Sequence, residues 1–120
     1  MNGIKYFSQK EFVCPCCGEL NIHYEFLLVL DELRRLCGFP LIVSSGYRCP
    51  KHNAEVGGVK DSAHVKGLAV DLIAENSHKR HVILEKAFEI NIQRIGIGQS
   101  FIHLDIDTTK PQQVVWVYKN

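Results

Sequence analysis

Long apolar runs are missing from this sequence. No window approaches 18 uninterrupted apolar residues, which excludes a transmembrane helix and membrane insertion. The opening stretch MNGIKYFSQKEF has no apolar segment of the kind a secretory signal needs, so the expectation is a chain made in the cytoplasm. A substrate beyond the membrane would then be reached by another route, after release. Excess charge is missing too: 14 basic residues meet 13 acidic ones, for a formal net charge of +1. Without a basic patch or stripe, nucleic acid is not an expected partner. Internal repeats, low-complexity tracts and dividing linkers are also absent. What remains is 120 residues, 46% hydrophobic and 22% charged, which fits one globular domain over 1–120 with one modest core. It is expected to work as a monomer.

Ser8 followed by Glu11 is a capping-box pair and predicts a short helix around residues 8–12. CPCCGE reads as a tight loop, bracketed by Pro15 and Gly18. Over residues 23–37, Phe26, Leu30, Leu33 and Cys37 recur at helical spacing, and Gly38 and Pro40 stop that helix. Leu41–Val43 reads as a short strand entering SSGYR. Residues 44–67 read as loop with one helical turn near Lys51–Val56, and Leu68–Ile73 as a strand. Asn76 or Ser77 can cap a second helix to about Ile90, with Ile83, Leu84, Ala87 and Phe88 on its apolar face. Arg94–Gly98, Phe101–Ile106 and Val114–Tyr118 are strand-like. Together these predict an α+β domain, a largely antiparallel sheet flanked by two main helices.

Chemistry concentrates in SAHVKGLAVD, residues 62–71, where His64 and Asp71 are separated by Gly67 and small or apolar residues. A loop can present His64 while the following strand presents Asp71, and Gly67 lets the backbone turn between them. In FIHLDID, alternation puts His103, Asp105 and Asp107 on one strand face and Ile102, Leu104 and Ile106 on the other. Such a polar face on an apolar strand is costly unless it is solvated or used. The mixed nitrogen and oxygen set of His64, Asp71 and His103 suits Zn2+ and leaves a fourth position for water.

SSGYRCPKHNAEVGGVKDSAHVKGLAVDL followed by FIHLDID resembles the zinc D-Ala-D-Ala carboxypeptidase family, which includes phage L-alanyl-D-glutamate endopeptidases and shares its metal site with the Hedgehog signalling domain. The pattern S-x-H-x-x-G-x-A-x-D is matched at Ser62, His64, Gly67, Ala69 and Asp71, and S-G-Y-R at Ser45 to Arg48, with the likeness extending over most of residues 7–118. The resemblance implies a small Hedgehog/D,D-peptidase-like domain, zinc on His64, Asp71 and His103, and metal-assisted hydrolysis of peptidoglycan stem-peptide amides, in a phage or prophage setting. It implies that Arg48 faces a substrate carboxylate or oxyanion, and that Ser62 either bonds substrate or shapes its loop. Asn53 and Gly57–Gly58 are expected to fix backbone geometry.

One departure matters. The acidic base that many relatives carry three residues before the last histidine is Ser100 here, and the Hedgehog-type position six before is Ile97. Asp105 is the nearest carboxylate on the strand face of His103, either as base or as a partner that orients a ligand or Arg48. Loss of the base would leave a catalytically silent metal-binding domain that recognises wall peptide or a protein partner.

Five cysteines cannot all pair within one chain, and reduced thiols are the expectation. Cys14-x-x-Cys17 and Cys49-x-x-His52 have the spacing of zinc-knuckle ligand pairs, with Cys16 as a substitute ligand. The alternative is free, partly buried thiols. Cys37 falls on the apolar face of the first helix, His78 and His81 are expected in solvent, and His23 at a helix start.

Overall fold

A computed structural model describes residues 3–119. A 3-10 turn over Gln9–Glu11 is closed by Glu11 Oε2, which accepts the Ser8 backbone N–H at 2.6 Å. Helix α1 (Tyr24–Cys37) follows His23 and ends at Gly38, whose φ of 75° and N–H to the Arg34 carbonyl terminate it. Strand β1 (Val43–Ser45), helix α2 (Pro50–Glu55) and strand β2 (Ala69–Ile73) come next. Helix α3 (Ser77–Glu89) is capped by Asn76, whose Oδ1 accepts the His78 and Lys79 N–H groups at 2.9 and 3.1 Å. Strands β3 (Arg94–Ile97), β4 (Phe101–Asp105) and β5 (Val114–Val117) complete the chain.

The five strands form one sheet in the order β1-β2-β4-β3-β5. Every neighbouring pair is antiparallel except β3 with β5. The sheet is therefore mostly antiparallel, with two main helices, as the sequence predicts. The parallel pair arises because β4 already occupies one edge of β3. The segment after β4 must cross back before β5 can run along the other edge.

Alternation sorts the two faces. Val70 and Leu72 of β2, Ile95 of β3, and Ile102 and Leu104 of β4 are fully buried together with Leu30 and Leu33 of α1 and Ile83 and Ala87 of α3. Each large aliphatic side chain buried there contributes about 1.5–3 kcal/mol of transfer free energy. The intervening residues, Asp71, His103 and Asp105, point to the opposite face.

Two expectations are corrected. Phe88 is 58% exposed, whereas Ile83, Leu84 and Ala87 face the core as expected, joined by Val82 of α3 and by Ile90 at its C-cap. One residue beyond Ala87 is about 100° further around the wheel, which carries the ring off the buried stripe. The first strand covers Val43–Ser45 rather than Leu41–Val43. Its partner β2 places Asp71 opposite Ser45 and Leu72 opposite Val43, across an irregular register, so the paired stretch runs on into the serines. Leu41 is buried in the core without being part of the strand.

Candidate metal centre

Asp71 and His103 are direct cross-strand partners on β2 and β4, and Gly96 of β3 lies opposite His103 on its other side. His64 reaches the same point from the preceding loop. Ser62 Oγ accepts the His64 N–H at 3.2 Å, and the Arg48 N–H donates to the His64 carbonyl at 3.2 Å. Gly67 makes this loop possible: its φ is +74°, and a Cβ there would stand 1.9 Å from the Asn21 carbonyl oxygen.

The three side chains converge on one spot. His64 Nε2 lies 3.2 Å, and His103 Nδ1 3.0 Å, from Asp71 Oδ1. His64, Asp71 and His103 are 2%, 8% and 6% exposed, so their polar atoms depend on one another. The outer nitrogens decide what the inner ones offer. His64 Nδ1 is 2.8 Å from the Gly46 carbonyl oxygen, and His103 Nε2 is 2.6 Å from Asp105 Oδ2. Both partners only accept, so each outer nitrogen carries the hydrogen. In neutral rings, His64 Nε2 and His103 Nδ1 then present lone pairs toward an anionic oxygen. Three lone-pair atoms facing one another repel unless a cation sits among them, and this donor set fits a divalent metal.

Electrostatics follow from the same contacts. Burial opposes ionisation of Asp71, but with no cation between them a proton on the facing nitrogen of His103 or His64 bonds to the carboxylate instead, and these contacts outweigh burial and hold the carboxyl well below the usual range. Burial also opposes a charged His103, yet Asp105 and Asp71 raise its pKa above the ordinary imidazole value.

Arg48 braces the centre from β1's end. Its Nε donates to Ser45 Oγ at 3.1 Å, Nη1 to Asn53 Oδ1 at 3.2 Å and Nη2 to Asp71 Oδ2 at 3.4 Å. Asn53, only 3% exposed, also donates to the Val59 carbonyl at 2.7 Å, tying α2 to the loop that follows it. Asp105 is engaged at both oxygens, since Arg94 Nε donates to Oδ1 at 2.8 Å. Asp107 lies beyond β4 and is turned away from the centre. It is fully buried and accepts Lys66 Nζ at 2.8 Å and the Thr109 hydroxyl at 2.7 Å.

The centre forms the floor of a cavity of about 440 Å³ lined by Arg48, Ser62, Arg94, Phe101, Trp116 and Tyr118 among others. Arg94 and the two aromatic rings were not singled out from sequence. Arg94 is the register partner of Asp105, and Trp116 of Gly96, which no linear spacing shows. The signal that could have been used is Gly96 itself. A Cβ there would lie 2.6 Å from both Trp116 Nε1 and a Tyr118 ring carbon, so only glycine lets Trp116 lie 5.4 Å from the His103 ring.

A family model described as Peptidase M15 matches residues 5–105, most of the chain and all three converging side chains. The chain belongs to the peptidase M15 family. Peptidase M15 members are typically metal-dependent and act on peptides, and this member has two side-chain groups that could hold a metal. No curated protein matches the chain. Among the described residues of this peptidase M15 chain, no helix is long and apolar enough to cross a membrane.

The second group is Cys14, Cys17 and Cys49, whose sulfurs all lie within 4.8 Å of one another. His52 is not brought into it. Cys49 is the N-cap of α2, and its sulfur accepts the His52 backbone N–H at 3.4 Å. Burial pushes the Cys14 thiol up, but the N–H groups of Cys49, Cys16 and Cys17 prevail and bring it to about 7. The Glu19 N–H pulls Cys17 down, while burial and the neighbouring thiols carry it to about 11. Cys37 is packed in the core, and burial raises it to about 11.

Proposed function

We propose that this chain is a zinc-dependent peptidase hydrolysing amide bonds of the peptidoglycan stem peptide, of D,D-carboxypeptidase or L-alanyl-D-glutamate endopeptidase type. The observation that carries the reading is the convergence of His64 Nε2, Asp71 Oδ1 and His103 Nδ1 on one point at the floor of an open cavity. The wall substrate is supported by the likeness of the SGYR and SAHVKGLAVD motifs to those of the D-Ala-D-Ala carboxypeptidases and phage endopeptidases, and a phage or prophage setting is proposed on the same likeness. Bound by these three residues, zinc would supply Lewis acidity that activates water and polarises the scissile carbonyl.

The chain's own groups do the rest. Arg48 uses three of the five N–H donors of a guanidinium to hold Ser45, Asn53 and Asp71. The other two serve a substrate carboxylate or the oxygen that gains charge. Ser62 Oγ already accepts the His64 N–H, and its hydroxyl hydrogen is available to substrate in the cavity. Trp116 and Tyr118 form an aromatic wall beside His103 that excludes water from one side. Asp105 holds the His103 tautomer through Nε2.

One observation favours a second reading, a catalytically silent domain that binds metal and wall peptide or a protein partner. Asp71 and Asp105 are the only carboxylates lining the cavity among the described residues, and both are engaged. Muropeptides incubated with the protein and read by mass spectrometry separate the two. Cleavage that stops with a chelator and returns with zinc is expected. Full zinc loading with no cleavage of any muropeptide would leave the silent domain standing.

A further inference from the structure

Cys14, Cys17 and Cys49 take no part in the chemistry just described, yet their surroundings are specific. Cys14 and Cys17 frame a turn in which the Gly18 N–H donates to the Cys14 carbonyl at 2.8 Å and the Cys14 N–H to the Glu19 carbonyl at 2.8 Å. That turn aims backbone donors at sulfur. The Cys49 N–H is 3.4 Å from Cys14 Sγ, and those of Cys16 and Cys17 face the same atom. The Glu19 N–H faces Cys17 Sγ, and the His52 N–H lies 3.4 Å from Cys49 Sγ. Every one of the three sulfurs thus has a main-chain donor directed at it, which fixes its orientation and can support negative charge on sulfur once a cation offsets the repulsion among the three.

The sulfurs all lie within 4.8 Å of one another. Tetrahedral ligation at about 2.3 Å per Zn–S bond puts neighbouring sulfurs about 3.8 Å apart, so only a small closure is needed. Soft thiolates select zinc over the hard divalent cations. Two of the ligands come from a turn near the N-terminus and one from the cap of α2, so no single segment builds the group.

We infer that Cys14, Cys17 and Cys49 form a second, structural zinc site, independent of the His64 centre, with Cys16 nearest its fourth position. The Cys16 thiol already contacts that of Cys49. On binding, each ligating thiol gives its proton to solvent and its sulfur lone pair to the metal, with no change of oxidation state. The site works as a clamp. Cys49 directly follows Arg48, and the Tyr47 N–H donates to the Phe12 carbonyl at 2.9 Å, so zinc would lock residues 12–19 to the loop from which Arg48 reaches Asp71.

The test counts zinc in the full chain, purified reduced and loaded with zinc, for wild type, Cys14→Ser, Cys49→Ser and His64→Ala. Two zinc ions per chain are expected in wild type, and one in each variant. Cysteine alkylation of the native wild type guards against variants that fail to fold. Cys14, Cys17 and Cys49 should resist the reagent with zinc and become reactive when a chelator is added. Equal alkylation with and without zinc overturns the site, as does an intact mass short of two hydrogens, which reveals a disulfide. A single zinc lost in Cys49→Ser but kept in His64→Ala sustains the thiolate site and sinks the metal reading of the His64 centre. A single zinc with the opposite dependence overturns the thiolate site and leaves the peptidase reading standing.

Discussion

His103 is held from both sides, with Asp71 Oδ1 3.0 Å from Nδ1 and Asp105 Oδ2 2.6 Å from Nε2. Strand alternation makes the shared face of His103 and Asp105 legible in sequence. What alternation cannot show is that Arg94, on a neighbouring strand, claims the other oxygen of Asp105 at 2.8 Å. This separates two roles that one residue name leaves open. If Asp105 acts by orienting His103, Asp105→Asn should weaken zinc binding about 10–100-fold, because the ligand tautomer loses its anchor. Zinc affinity by competition with a chromophoric chelator reads this directly. An unchanged affinity with a large fall in kcat would assign Asp105 to proton transfer instead.

At the scale of elements, α3 and β3 show local and non-local control. The Asn76 cap is written locally, and its Oδ1 takes two N–H groups of the first turn. Asn76→Ala should cost about 1 kcal/mol, read as a lower urea midpoint with an unchanged m-value. No loss would mean that solvent satisfies those donors as well as the side chain does. Gly96 is non-local, since its constraint comes from Trp116 on β5 and Tyr118 just after it. Gly96→Ala should displace Trp116 from His103 and cost about 1–3 kcal/mol, the usual range for overpacking. Trp116 is the only tryptophan in the chain, so a red-shifted fluorescence maximum would report the displacement. An unshifted spectrum with unchanged stability would show that the rings do not pack there.

For the molecule as a whole, Asp107 fastens the segment leaving β4 to the turn that precedes β2, just past the end of the ladder those strands share. Lys66, from the turn before β2, meets it at 2.8 Å after β4 has ended. Burial would raise the Asp107 pKa, but Lys66, Thr109 and the Thr109 N–H bring it down to about 2. A carboxylate whose folded pKa lies below its unfolded value of about 3.9 stabilises the fold above that value. The contribution is lost as pH falls from about 4 through 2. Lys66→Met should therefore flatten the dependence of Tm on pH within that window and lower Tm at neutral pH. Parallel curves for the two proteins would show that the pair contributes nothing to acid stability.

Two kinds of information built this protein. Short-range physics was legible in the chain: the 3.6-residue spacing of α1, the cap at Asn76 and the period-2 alternation of FIHLD, which stops before Asp107, together with Gly67 between His64 and Asp71. The helices, the strands and the candidate ligand set could be read from these because each depends on neighbours a few positions away. Register was not legible. Arg94 opposite Asp105, Trp116 opposite Gly96, the parallel β5 and the exposure of Phe88 depend on which strands and helices meet. Pairing energies are summed over whole interfaces, so no local spacing encodes them. The meeting of Cys14, Cys17 and Cys49, without the ring of His52, was settled the same way, by the seating of the N-terminal turn against α2.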